Sequence, residues 1–308
     1  VSLVDRVPPV PRVTPDDRPL LLVWGNCQAE SLRLLVDAGD VRSVRLPAVH
    51  ELEPWEVASL HRLVAAADLL VSQPVADGYH GLPVGTAELV ALLPAAARHA
   101  VVPIVRYAGL HPHHVVVHPP GLPDPLPPLV PYHDLVTATA ASWAAVGRPP
   151  PTEAIDALTE DAVRAVGDRS LAELRRRESG LDVAAADLLE RPTFASMRTI
   201  NHPGNAVLAP LAHRVRTALG LRSRLPGVTR PLLDAVHAPR DPVVAAVHDP
   251  GAEVCADWRV EGRRVPVREV AAAHAAWYAD RPDALAAVLH RSTPERALLG
   301  LRTPEECR

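Results

Sequence analysis

The chain of 308 residues is 48% hydrophobic and 22% charged, with a formal net charge of −4. This size and balance allow a large core in one large or two ordinary domains and exclude wholesale disorder. The slight acidity excludes a basic field for nucleic acid or an anionic membrane, and no apolar run is long enough to span a bilayer.

Residues 1 to 19, "VSLVDRVPPVPRVTPDDRP", are Pro-rich and read as an extended N-terminal arm. They lack the charged-then-apolar layout of a secretory signal, so a cytoplasmic location is expected. Residues 20 to 24, "LLLVW", make a continuous apolar strand of the kind buried on both faces of a parallel sheet. "GNCQ" follows at once. Ala29 to Ala38 then reads as a helix, with Leu32, Leu35 and Val36 on one face and Gly39 as its stop. "VRSVRLP" (41 to 47) alternates as a short strand, and 54 to 67 is helical, opening at Pro54. "DLLVSQP" (68 to 74) is a second apolar strand whose polar end carries Ser72 and Gln73. Residues 85 to 98 predict a helix kinked at Pro94, and "AVVPIVRY" (100 to 107) predicts a strand leading into "AGLHPHH".

Four such alternations predict an α/β core over residues 20 to 134, built on a parallel, doubly wound sheet of the SGNH or flavodoxin-like type. Within it, "VHPPGLPDPLPPLVPYHD" (117 to 134) is too rich in proline for a helix or central strand and reads as a connection or lid. Residues 135 to 308 read as a mainly helical region, with helices at 152–166, 168–178, 182–190, 205–219, 267–279 and 281–290. Between 220 and 266 no period stands out.

The composition carries a sharper signal. All 32 lysine-or-arginine cations are arginine, as codon bias in a GC-rich genome would produce. Against that background the chain keeps three asparagines, Asn26, Asn201 and Asn205, and two glutamines, Gln28 and Gln73. Four of the five fall in "GNCQ" and "NHPGN"; the fifth ends the strand "DLLVSQP". Three cysteines, Cys27, Cys255 and Cys307, are too widely spaced for a disulfide framework or a zinc site.

In an open parallel sheet the C-terminal ends of the strands form the ligand crevice, and the following helix points free N–H groups into it. Cys27 falls at that junction, beside Gly25, which is expected to line the cofactor site. A thiol there is expected to be drawn toward thiolate by the helix dipole, and the same amides can hold an oxyanion with Asn26 and Gln28 as added donors. The alternative is a small buried cysteine that only packs. Asn201 and His202 sit in the entry loop of a helix, where His202 is a sensible general base; the alternative there is a capping loop with a solvated imidazole. "GLHPHHVVVH" places His111, His113, His114 and His118 together, but without a zinc-site spacing or a carboxylate, so no metal is expected and His111 reads as crevice lining. Gln73 would face the same crevice as Cys27.

"GNCQA", "SQPVADGY", "RYAGLHP", "RRRES" and "NHPGNAVL", in this order, make the chain resemble the WcbI-type acetyltransferases of polysaccharide biosynthesis, from about residue 20 to 220. The resemblance implies an α/β fold with extra helices, binding of coenzyme A or acetyl-coenzyme A as a substrate, and acetyl transfer to a hydroxyl of a capsule sugar or glycan precursor. The positions that match the motifs are Asn26, Cys27, Gln28, Gln73, His111 and His202. Coenzyme A also carries phosphates, and Arg106 at a strand end and Arg198 near His202 are the candidate partners. Two routes stay open: Cys27 carries the acyl group as a thioester, or His202 activates the acceptor for direct attack. A thiol esterase of the SGNH type and a non-enzymatic glycan- or nucleotide-binding protein are the rival readings.

Overall fold

The computed structural model describes residues 17–119, 126–155, 157–224 and 227–308. Residues 1–16 of the expected arm and 120–125 of the Pro-rich segment lie outside these. Strand β1 (Leu20–Trp24) is buried along its whole length. It runs parallel to β2 (Arg42–Val44) on one side and β3 (Leu69–Ser72) on the other, and β3 is paired in parallel with β4 (Arg98–Val101). The order β2-β1-β3-β4 reverses the direction of chain progress between β1 and β3. That reversal is the switch point at which ligands bind open α/β sheets.

Alternation along β1 explains why both faces are covered. Leu21 and Val23 face α1 (Cys27–Val36), joining its Leu32, Leu35 and Val36. Leu20, Leu22 and Trp24 face the opposite way, against Leu60 and Val64 of α2 (Val57–Val64) and Leu89 of α3 (Thr86–Val90). Each leucine buried in this way stabilises the fold by about 1.5–3 kcal/mol. The expected doubly wound α/β core is therefore present.

Two elements are shorter than the sequence predicts. The helix over 85 to 98 stops at Val90, because Pro94 cannot continue it and Arg98 is already in the sheet. The strand over 100 to 107 pairs only to Val101; Pro103 has no N–H for a ladder, and the chain runs on extended without a strand partner.

Beyond the sheet come two short antiparallel pairs, β5 (His114–Val115) with β6 (His133–Asp134) and β7 (Met197–Thr199) with β8 (His202–Pro203). Helix α4 (Leu135–Ala145) packs beside β6 and α6 (Asn205–Ala218) beside β8, with α5 (Glu160–Glu178) between them in the chain. The last part holds β9 (Val236–His237), α7 (Pro242–His248), β10 (Trp258–Val260), β11 (Arg263–Val265), α8 (Val267–Ala279), α9 (Pro282–Arg291) and α10 (Thr293–Leu298). The two helices predicted at 152–166 and 168–178 are a single helix, α5, capped by Thr159 and passing through Gly167. A Cβ at Gly167 would lie 2.9 Å from the Tyr107 hydroxyl, so this glycine permits a close approach instead of ending the helix. Residues 182–190 contain only a short 3₁₀ turn, Ala186–Leu189. Helix α4 was not legible beside the prolines; Asp134 caps it by accepting the Thr137 N–H at 2.7 Å.

Helix α6 packs beside α1 on one face of the sheet and so brings the "NHPGN" loop to the switch point. Arg216, buried in that seam, donates to Val36 O at 2.6 Å and pairs with Asp40 at 2.7 Å. No helix of the described residues is long and apolar enough to cross a membrane.

Candidate functional site

Four of the five rare amides interlock around the turn from β1 into α1. Gly25 opens this turn; a Cβ there would lie 2.2 Å from Gln73 Oε1, so only glycine leaves room for that side chain. Asn26 caps α1, its Oδ1 accepting the Gln28 N–H at 2.9 Å, while its own N–H donates to Gln73 Oε1 at 2.8 Å. Gln28 is buried. Its Nε2 donates to the carbonyls of Val105 (2.7 Å) and Asn201 (2.8 Å). Its Oε1 accepts from the Val105 N–H (3.0 Å) and from Gln73 Nε2 (3.3 Å). Both amide hydrogens of Gln28 are thus committed to backbone carbonyls. The expected oxyanion donor is instead a clamp that ties α1, the chain after β4 and the β7–β8 loop together.

Asn201 carries the network onward. The Tyr132 hydroxyl donates to Asn201 Oδ1 at 2.8 Å and lies 2.8 Å from Thr199 Oγ1. The Tyr132 ring meets His202 edge-on, with centroids 6.2 Å apart. Burial raises the Tyr132 hydroxyl far above its usual range, and negative charge on Cys27 acts in the same direction, so thiol and phenol are electrostatic neighbours. Tyr132 lies in the segment read as a connection. Its signal was rarity: the chain holds only four tyrosines.

Cys27 begins α1, half-buried, and lines a cleft of 360 Å³ with Glu30, Leu46, Glu51, Arg230 and Leu232. Asn205 secures one wall of this cleft, donating to Arg230 O and accepting the Leu232 N–H, both at 2.9 Å. The cap of α6 is Gly204, and Asn205 is its first residue.

Burial pushes the Cys27 thiol up from its ordinary value. The N–H groups of Cys27 and Gln28 and the Arg106 guanidinium pull it down, but they do not outweigh burial and the nearby Glu51 carboxylate. The thiolate expected at this helix terminus is corrected: Cys27 is protonated at neutral pH. Iodoacetamide near pH 7 should therefore modify the exposed Cys255 and Cys307 before Cys27, and the Cys27 rate should keep rising above about pH 8.5. Mass mapping that finds Cys27 labelled first would show that the helix terminus prevails over burial.

His202 stands on β8. Burial first, then the Arg198 and His237 charges, lower it to about 4, so the imidazole is neutral at pH 7. Its Nδ1 is buried without a hydrogen-bond partner. Among the described residues no hydrogen bond joins His202 to Cys27.

Two expected site residues lie elsewhere. His111 is buried against Phe194, with Nε2 3.3 Å from Met197 O, and burial lowers it to about 4; it is a neutral core histidine and does not line the Cys27 cleft. Arg198 pairs with Asp234 at 2.9 Å and lines a separate cleft of 270 Å³ with His237 and Arg240. Its charge is already answered, which argues against a phosphate role. Arg106 is exposed, and its charge reaches Cys27. No group of three or more His, Cys, Asp or Glu among the described residues is placed to hold a metal ion.

Fold and site define a doubly wound α/β protein with a thiol at the switch point of its sheet, enclosed by an amide network. The chain belongs to the family of the polysaccharide biosynthesis enzyme WcbI, whose model matches residues 20–224. It is also similar to a solved structure of WcbI, described as a polysaccharide biosynthesis enzyme in its native form without a disulfide bond between coenzyme A and one of its cysteines. The identity is 20% and the TM-score 0.66, over 88% of this chain and 98% of that one. No curated protein matches the chain.

Proposed function

We propose that the protein is a coenzyme A-dependent acyltransferase, with acetyl the expected group, acting on a hydroxyl of a sugar or polysaccharide precursor. The observation that carries this reading is Cys27: a thiol at the first position of a ten-residue helix, at the switch point, opening into a cleft. The similar WcbI structure, described as the native protein without a disulfide bond between coenzyme A and one of its cysteines, supports coenzyme A as the ligand.

In this reading the thioester carbonyl lies at the N-terminus of α1, where the Cys27 N–H faces the developing oxyanion. The acceptor hydroxyl attacks that carbonyl and gives its proton to neutral His202 through Nε2, since Nδ1 is buried. The C–S bond breaks, the acyl group becomes an ester, and the coenzyme leaves as the thiol once its sulfur takes up the proton. Cys27 lines the donor pocket, and Tyr132 with Asn201 holds the loop that presents His202.

Coenzyme A and acetyl-coenzyme A should each raise the melting temperature, the gain growing with the logarithm of concentration once sites are filled. Absence of both heat and thermal shift would remove the donor assignment. Release of free acid without any acceptor would mark a thioesterase instead.

A further inference from the structure

Arg106 has a second neighbourhood besides Cys27. With Ala108 it forms one side of a 610 Å³ cleft whose other side is α5, through Arg169, Ser170, Arg176 and Arg177; Glu295 of α10 stands at its end. Residues 169, 173, 176 and 177 fall four, three and one apart and share one helix face. Carboxylates answer only part of the charge. Arg169 meets Glu295 at 3.3 Å, while Glu173 serves both Arg176 (2.8 Å) and Arg177 (3.5 Å).

The excess charge gathers at the Arg106–Arg177 end. Among the described residues no hydrogen bond or ion pair joins Arg106 to another group. Arg177 is half-buried, its Nε is without a hydrogen-bond partner, and burial and the Arg106 charge lower its guanidinium. Two like charges held close, one exposed and one half-buried, repel each other unless an anion joins them. Ser170 adds a donor: its Oγ accepts the Ala108 N–H at 2.9 Å, which leaves its hydroxyl hydrogen free. Planar guanidinium forks suit phosphate oxygens in particular.

We propose that this cleft is a phosphate subsite, taking the diphosphate or phosphate monoester of a ligand whose reactive end lies at Cys27. The position of that reactive end rests on the function proposed above; the anion site rests on the arginines alone. Arg106, whose charge acts on both Cys27 and Arg177, joins the two places. The phosphates belong either to the acyl donor or to a nucleotide-activated sugar, and both present the same chemistry to the cleft.

Calorimetry on the full chain tests this with inorganic pyrophosphate, the phosphoadenosine diphosphate half of coenzyme A, and uridine diphosphate glucose. Pyrophosphate should bind, and Arg106→Gln and Arg177→Gln should each weaken it about tenfold or more, as loss of a charge-assisted contact requires. Cys27→Ala should leave it unchanged, and Arg177→Lys should keep part of it. Arg106→Gln should not melt below the wild type, because it gives up no bond and relieves repulsion, whereas Arg177→Gln also gives up its Glu173 pair and a 3.4 Å donation to Ile104 O and should melt slightly lower while remaining folded. Tight phosphoadenosine diphosphate binding that coenzyme A displaces, with no uridine diphosphate glucose binding, assigns the cleft to the donor; the reverse assigns it to the acceptor. Pyrophosphate binding without any binding of coenzyme A would uphold the subsite and remove the donor reading. No pyrophosphate binding, or equal binding by the wild type and both glutamine variants, overturns the subsite.

Discussion

His202→Ala is expected to lower acyl transfer by about 10²–10⁴-fold, the range a general base supplies, whereas Cys27→Ala should cost about tenfold or less. The asymmetry follows from the electrostatics of the two groups. Burial keeps the Cys27 thiol protonated near neutrality, so little thiolate is present to take the acyl group. His202 is already neutral and ready to accept a proton. A base works in its deprotonated form, so activity is present above the His202 value of about 4 and is lost as pH falls through it. The acid limb of kcat/KM should accordingly lie near 4 and not near 6.5, the ordinary histidine value. A thioester trapped on Cys27 when acceptor is withheld, together with a dead Cys27→Ala variant, would establish the covalent route instead. Full activity in both alanine variants would remove the pair from the chemistry.

Gln28→Leu should destabilise the fold by about 4 kcal/mol, a large share of the roughly 5–15 kcal/mol that holds a typical protein together. Leucine is similar in size but supplies no polar atoms. It strands the carbonyls of Val105 and Asn201, the Val105 N–H and one donor of Gln73. Each buried unmet group costs about 1–3 kcal/mol, and water entering the gap would recover part of that. Asn26→Ala, which removes a single cap bond, should cost about 1 kcal/mol and serves as the scale. Denaturant midpoints at unchanged slope would measure both. Near-equal losses would show that Gln28 is not the clamp its contacts describe.

The position of Cys27 at a strand end was legible because it depends on local pattern alone. An apolar run buried on both faces, a glycine turn and a 3.6-residue period can each be read within a dozen residues. Rarity made the amide network legible as a set: in a chain nearly free of asparagine and glutamine, gathering four of them in one place, with Gln28 and Gln73 buried, requires mutual partners. Their pairing was not legible, since Gln28 meets Gln73, Val105 and Asn201 at separations of 45, 77 and 173 residues. Tyr132 was hidden for the same reason, inside a segment whose prolines suggested only a connection.

By itself the sequence determined the parallel sheet, the thiol at its switch point and the loop bearing His202, because strand and helix periods and turn chemistry are properties of neighbouring residues. Only the tertiary structure decided that Gln28 is a clamp, that Arg198 is spent on Asp234, that His111 is core, and that the thiol of Cys27 is raised and not lowered. Those outcomes depend on burial and on charges brought close from distant parts of the chain. A helix terminus acts on its own first turn whatever surrounds it, but desolvation is set by everything that packs above, and at Cys27 the packing prevails.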